Sequence, residues 1–375
     1  MASQLYEERC QKIKDTVNFE NKKVTTCYMG QAAPAAHMGV KMKDFAMNPD
    51  INIKTTLDYI NEINTITSVD CINVGVNGMR SDHSLPMAWL SKIKMPGREL
   101  PDDSLWQVVE TDILSREDYD VIIKQGFDVV FNRILPQLVD MDEFQETMAY
   151  QQKNGQKNAE LFIDSNYPAV NSAFASPPFE VLCGGRSMSQ FFMDCYKVPD
   201  KIEKAIDVML PGSIAGMLAT LNPQYGNGAW VGGWRGASAL VSPQIWNRLV
   251  WPGMKSMAMA LVENNHIATF HLDQCWDRDI ERFLEMPVKK SIINTDGMTD
   301  LRKARKVLGE HVAIMGDVPS PLLATGTTQE VKDYVNNLID DIGPTGLFIT
   351  AGCDAPANTK FENMVAMFQA ANDWK

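Results

Sequence analysis

Four residues near the C-terminal third carry the most chemistry per position: His271, Asp273, Cys275 and Cys353. An imidazole, a carboxylate and a thiolate suit a zinc ion with one coordination position left open, the arrangement of a catalytic rather than a structural site. His271 and Asp273 are two residues apart, so both can point the same way from an emerging strand end. Cys353 arrives from a later strand. Cys275 competes with Asp273 for the third position if the chain turns directly after Gln274. Asp296 is either a fourth ligand or a hydrogen-bond partner for the histidine. The other histidines, His37, His83, His266 and His311, read as packing or hydrogen-bonded side chains. Of these, His83 in Arg80-Ser-Asp-His83 is the one that could reach the site.

What must position these residues is a series of short apolar strands separated by helices. The strands read as Val24–Tyr28, Cys71–Val76, Ala169–Phe174, Gly228–Gly232, Ile267–Leu272, Ser291–Asn294, Val312–Met315 and Leu347–Thr350. Between them lie helical patterns such as Pro243–Glu263, Asp300–Leu308 and Thr328–Ile342. Nearly continuous apolar strands alternating with helices mean parallel strands buried on both faces. Eight such units give a (β/α)8 barrel of the α/β class, in one domain spanning 1–375. Residues 1–22 read as an N-terminal helical extension, and Asp50–Ile66 as a further helix packed outside the barrel. Residues 77–165 exceed what one crossover needs and read as an insertion or cap after the second strand. The polar run Gln151–Gln156 reads as a solvated helix end.

A parallel barrel builds its site at the C-terminal strand ends. The fifth strand ends in His271-Leu-Asp-Gln-Cys275, the sixth in Asn294-Thr-Asp-Gly297, the seventh in Gly316-Asp317 and the eighth in Ala351-Gly-Cys-Asp354. Each end carries an ionisable or metal-binding group, and barrel geometry brings the ends together. The loops Gly184-Gly-Arg186 and Gly232-Gly-Trp-Arg-Gly236 offer backbone N–H groups and a guanidinium to an anionic group. Neither matches a dinucleotide fingerprint or a P-loop.

Composition narrows the class of function. The chain has 375 residues, 45% of them hydrophobic and 22% charged, with 35 Lys+Arg against 47 Asp+Glu for a formal net charge of −12. That balance argues against a nucleic-acid backbone or an anionic membrane surface as the main partner. No apolar run approaches the ~20 residues of a membrane helix. Neither a secretory leader nor a lipidation box is recognisable. Seven scattered cysteines without a C-x-x-C pair point to a reducing, cytoplasmic setting.

Several segments resemble the uroporphyrinogen decarboxylase superfamily, and within it the corrinoid-dependent zinc methyltransferases. They are S-P-P-F at Ser176–Phe179, T-D-G-M-T-D-L-R-K-A-R at Thr295–Arg305, I-M-G-D-V-P-S at Ile314–Ser320 and F-I-T-A-G-C-D-A-P at Phe348–Pro356. The stretch Y-M-G-Q-A-A-P, Tyr28–Pro34, stands where the decarboxylases carry an arginine-rich motif that binds tetrapyrrole propionates. Both arginines are missing, which counts against decarboxylation. The methyltransferase branch has H-x-C followed by a distant cysteine in a G-C loop. His271 and Cys353 match, and Asp273 replaces the middle thiol. A carboxylate in place of a thiolate makes a harder, more Lewis-acidic zinc, favouring an oxygen-bearing ligand over a thiol.

The resemblance therefore implies methyl transfer from a methoxylated, preferably aromatic, substrate to Co(I) of a separate corrinoid protein. Zn2+ is the Lewis acid, Asp296, Asp317 or Tyr28 the acid, and Trp230, Trp234, Arg235 or Trp276 the substrate wall. It implies a homodimer as well. The alternatives are transfer from a methyl-corrinoid protein to a thiol of the coenzyme M type or to a folate, a porphyrinogen-type decarboxylase, and a barrel without catalytic function.

Overall fold

The computed structural model describes residues 2–74 and 80–375. The barrel strands are β1 (Thr25–Tyr28), β2 (Cys71–Val74), β3 (Ala169–Asn171 and Ala173–Ala175), β4 (Gly228–Gly233), β5 (Ile267–Leu272), β6 (Ser291–Thr295), β7 (Ala313–Val318) and β8 (Leu347–Ala351). Gly75 and Val76 of the expected second strand, and the first residues of the expected insertion, 77–79, lie outside the described residues. Every barrel pairing is parallel, and the nine strand segments fill eight barrel positions.

The third strand is broken, where the sequence suggested one continuous run. Its first segment pairs with β2 (Ile72↔Ala169, Val74↔Asn171), and its second with β4 (Phe174↔Trp230, Ala175↔Val231). Ser172 makes the switch, its N–H donating to Gly228 O at 2.9 Å and its hydroxyl accepting from Asn222 N at 3.0 Å. By changing neighbours at one residue the strand closes the barrel. Closure is a property of the whole sheet, so no local pattern announces it.

Three other expectations need adjustment. The helix Pro49–Asn64 is not an addition outside the barrel: it lies between β1 and β2 and buries Ile53, Leu57, Ile60 and Ile63. It is the crossover that two neighbouring parallel strands require. Gln151–Gln156 lies in the middle of the helix Met141–Asp164, not at an end; the turns around it are anchored by Thr147, Asn158, Ala159 and Phe162. The helix expected over Pro243–Glu263 contains one wide turn, Trp246–Val250, before continuing as Trp251–Glu263. Pro252 has no N–H to offer the regular ladder at that point.

Residues along β5 alternate between two environments. Ala268, Phe270 and Leu272 pack outward against the helices, whereas Ile267 joins the barrel interior. The interior base is apolar and is plugged by Ile13, Val17 and Phe19, which follow from the helix Gln4–Val17 and pack with Ile267, Ile292, Met315 and Phe348. Over the other end sits the insertion. It comprises a helix Ser81–Trp89, an antiparallel hairpin of Lys92–Lys94 with Gln107–Val109, and helices Arg116–Gln125, Phe127–Leu138 and Met141–Asp164. Among the described residues no helix is long and apolar enough to cross a membrane.

The plug and the strand ends are at opposite poles of the barrel, so they separate stability from the site. Ile13→Ala should lower unfolding free energy by about 2–5 kcal/mol, the range for truncating a buried isoleucine or leucine to alanine. Urea denaturation measures this, and any metal held at the strand ends should still bind to the folded variant.

Candidate metal centre at the barrel mouth

His271 is the fifth residue of β5 and is 3% exposed. Its Nδ1 lies 2.8 Å from Asn294 Oδ1 on β6, and its Nε2 faces the mouth. There Asp273 Oδ1 is 3.2 Å from Nε2 and Cys353 Sγ is 3.8 Å from it. Ligand atoms of His271, Asp273 and Cys353 all lie within 4.8 Å of one another. A tetrahedral zinc with ordinary Zn–N, Zn–O and Zn–S bonds separates its nitrogen from the oxygen by about 3.3 Å and from the sulfur by about 3.6 Å. The observed separations fit that requirement closely, and the mixed N, O, S donor set suits the ion. Burial alone would push the His271 imidazole down, but the Asp273 carboxylate and the Cys353 thiol beside it hold it up at about 10. The position facing Nε2 therefore favours a positive charge, whether a proton or a metal ion.

Each ligand is held by its own backbone setting. Asp273 N–H donates to Gly233 O at 3.2 Å, and its carbonyl accepts from Trp276 Nε1 at 2.7 Å. Trp276 is fully buried, and it packs so closely on Gly233 that a Cβ there would lie 2.9 Å from the indole. Gly352 serves the opposite loop. A Cβ on it would lie 2.8 Å from the Asp296 backbone, so only glycine lets the end of β8 approach the end of β6. That approach brings Cys353 to His271. Cys275 stays outside the cluster; its carbonyl accepts from Ser238 Oγ at 3.1 Å.

The expected acids divide. Asp296 accepts from Gln274 N at 2.8 Å and Met298 N at 2.9 Å, bracing the turn that follows Asp273. Asp317 is 3% exposed and accepts from Tyr334 Oη at 2.7 Å. Burial raises Asp317 to about 7, with Tyr334 pulling down and Asp296 adding to the rise. Neither carboxylate borders the cavity described below. Tyr28 does; its hydroxyl donates to Gly30 O at 2.9 Å. Burial keeps its phenol well above the ordinary value.

A cavity of about 880 Å³ opens directly from the triad. Trp230 lies against the histidine, ring centres 3.9 Å apart, and Trp234, Trp89, Trp106, Phe174 and Phe127 add aromatic wall. Trp89, Trp106 and Phe127 come from the insertion, where the sequence has no period to flag them. Arg235 does not reach the cavity. Its guanidinium lies 3.9 Å from the Trp234 ring centre and donates to Ser91 Oγ at 3.1 Å. Two further carboxylates border the cavity: Glu180, which the sequence did not single out, and Asp354, named at the end of the eighth strand but given no role. Glu180 accepts from Arg235 N and Gly236 N, both at 2.8 Å, and so staples the glycine-rich loop. Asp354 accepts from Gln31 N; burial lifts it to about 6. His83 turns away from this cavity: its Nδ1 is 2.7 Å from Thr147 Oγ1. The neighbouring Asp82 and Glu143 are engaged by Arg80 and Arg98.

Residues 170–374 match the family described as uroporphyrinogen decarboxylase (URO-D). No curated protein matches the chain. Among solved structures, a methyltransferase from Methanosarcina mazei aligns with a TM-score of 0.68 at 15% identity, over 98% of each chain. A B12-independent methionine synthase from Shewanella sp. W3-18-1 aligns with a TM-score of 0.48 at 9% identity, covering 93% of this chain and 96% of that one.

Two outcomes follow from this geometry. His271→Ala and Cys353→Ala should each abolish stoichiometric zinc binding while the circular dichroism spectrum is retained, and Cys275→Ala should bind zinc like the parent. Metal analysis after dialysis against excess zinc reads this directly; full occupancy in the first two variants would remove the site. The second concerns Asp317. A buried carboxyl raised from its ordinary value binds a proton more tightly folded than unfolded, so it loses stability as pH rises from about 4 to about 7. Asp317→Asn lacks that loss. Its advantage over the parent in thermal melts should grow across this range to as much as about 4 kcal/mol and level off above pH 7.

Proposed function

Because the chain belongs to the uroporphyrinogen decarboxylase family, we propose that it is a zinc-dependent methyltransferase of that family. In this reading it moves a methyl group from a methoxylated aromatic substrate to Co(I) of a separate corrinoid protein. The observation that carries the proposal is the His271–Asp273–Cys353 triad opening onto a large cavity with aromatic walls. The cavity also speaks against a decarboxylase of polycarboxylated tetrapyrroles. Among the described residues it has no lysine or arginine in its wall, so nothing there would neutralise several substrate carboxylates.

The chain's own residues divide the work. Trp230 and Trp234 present faces to an arene, and Trp230 also fixes the orientation of the His271 ring. Zinc held by His271 Nε2, Asp273 and Cys353 would supply Lewis acidity to the ether oxygen, whose departure as an alkoxide or phenolate is otherwise difficult. Asp273 in place of a thiolate makes that site harder and suits oxygen. Tyr28 keeps its proton on Oη at the cavity wall, where it is held by the Gly30 carbonyl; a transfer to the departing oxygen would have to break that bond, and burial makes the phenol a weaker acid than usual. The insertion adds Trp89 and Trp106 to the cavity wall. The corrinoid of the partner, supplying the nucleophile, must approach from the mouth, since the methyl group passes directly between donor and acceptor.

The test is a methyl-donor screen with a Co(I) corrinoid protein, read by cobalt absorbance. Methoxyarenes should convert Co(I) to methyl-cobalt, and His271→Ala should abolish the conversion. A spectrum unchanged by every methoxyarene and alcohol would overturn the proposal. Loss of methyl from methyl-cobalt on adding a thiol or folate would reverse the direction.

A further inference from the structure

Beneath the triad the barrel interior contains asparagines from three strands, Asn73 on β2, Asn171 on β3 and Asn294 on β6, all at most 1% exposed. They form one chain of amides. Asn171 Nδ2 donates to Asn73 Oδ1 at 3.0 Å and to the Asn73 carbonyl at 3.1 Å. Asn73 Nδ2 donates to Asn294 Oδ1 at 3.1 Å, the same oxygen that lies 2.8 Å from His271 Nδ1.

The direction of this chain is fixed by an atom that can only accept. Asn294 Nδ2 lies 3.2 Å from the carbonyl of Met315, the residue paired with it on β7. Turning the Asn294 amide over would set its oxygen against the Met315 oxygen and its N–H groups against the N–H groups of Asn73. In a site closed to water neither mismatch is tolerable. Asn294 Oδ1 must therefore face His271, and Nδ1 must carry the hydrogen that it accepts. The lone pair is left on Nε2, the nitrogen that faces Asp273 and Cys353.

We infer that Asn294, locked by Asn73, is the positioning residue that assigns metal binding to Nε2 of His271. The inference rests on the reading of the triad as a metal centre. A leucine at 294 has a similar volume and no acceptor. It would leave Nδ1 without a partner and the imidazole free to bear its hydrogen on either nitrogen. An aspartate restores the acceptor at the same place, with its second oxygen protonated toward the Met315 carbonyl, as this buried site requires.

The experiment compares zinc affinity of the parent, Asn294→Leu, Asn294→Asp and Asn73→Ala, by competition with a chromophoric chelator. Folding is checked by circular dichroism. The expected result is a 10–100-fold weaker affinity in Asn294→Leu, the usual effect of removing a partner from a metal-binding histidine. Asn294→Asp should recover most of the loss, and Asn73→Ala should show a smaller one. Nitrogen-15 NMR of the zinc-loaded parent provides a second readout that depends on no variant: zinc should be on Nε2 and hydrogen on Nδ1 of His271. A folded Asn294→Leu protein with parental affinity would overturn the inference alone, as would zinc on Nδ1. A parent that binds no zinc would overturn the metal-centre reading and the inference together.

Discussion

The parallel register between β4, β5 and β6 is the constraint on which the site depends. Gly232 pairs with His271, and His271 pairs with Asn294. In a parallel pair, residues in register present their side chains on the same face, so one row sets an empty position, an imidazole and an amide side by side. A slip of one residue along β5 would turn His271 outward and bring Phe270 or Leu272 into the barrel. The ladder holds because those two side chains are fully buried among the outer helices and have nowhere better to go. Apolar burial outside the barrel thus fixes the chemistry inside it. The absent side chain at Gly232 leaves the cavity open to the ring, and Trp230, two residues earlier on the same face, supplies its stacking partner.

A barrel interior this polar at one end needs compensation at the other. Each buried amide or imidazole loses hydration that only a hydrogen bond returns. Asn73, Asn294 and His271 are bonded to one another or to backbone, and Asn171 spends its N–H groups on Asn73 while its own oxygen has no partner. The base, by contrast, is mainly apolar and extended by Ile13, Val17 and Phe19, its buried hydroxyls of Thr16 and Thr25 bonded to each other at 2.6 Å. Stability is concentrated there, and the mouth is left free to hold groups chosen for their chemistry. Rigid strands beneath and bonded loops above place the three ligand atoms before any metal arrives, so less conformational freedom is lost on binding.

How much of this could be read from the sequence depended on the range of the interaction responsible. The strand Ile267–Leu272 and the helix Thr328–Ile342 stand where their local patterns put them. The convergence of His271, Asp273 and Cys353 was legible because barrel topology brings strand ends together; the close approach at Gly352 that completes it was not. Orientation was not legible. Asp296 and Asp317 end strands as expected, yet the first is occupied by the N–H groups of Gln274 and Met298 and the second by Tyr334. Met298 is local, two residues on in the same turn, but Gln274 and Tyr334 come from another loop and a helix, and no pattern around residues 296 or 317 announces those two. Arg235 misled in the same way: its charge suggested a substrate contact, but the neighbouring Trp234 offers a face on which the guanidinium stacks behind the wall. The aromatic residues of the insertion belong to no periodic face, so their convergence on the cavity became visible only once the cap was folded over the barrel.

Charge accounting ties the metal reading to the substrate reading. A divalent ion takes cysteine as the thiolate, so the donor set of one thiolate, one carboxylate and one neutral imidazole carries two negative charges. Zinc would neutralise them, leaving a site without net charge beside a wall without lysine or arginine among the described residues. Glu180 and Asp354, the remaining carboxylates at the cavity, are engaged by backbone N–H groups, and burial raises both above the ordinary carboxylate range. An anionic substrate would therefore enter against two acidic groups and find no cation to receive it. A neutral, apolar molecule meets no such penalty, and the aromatic wall rewards its burial at about 25 cal/mol per Å² of apolar surface. On these grounds affinity in this cavity should come from the hydrocarbon body of the substrate, and reactivity from the single polar end presented to His271, Asp273 and Cys353.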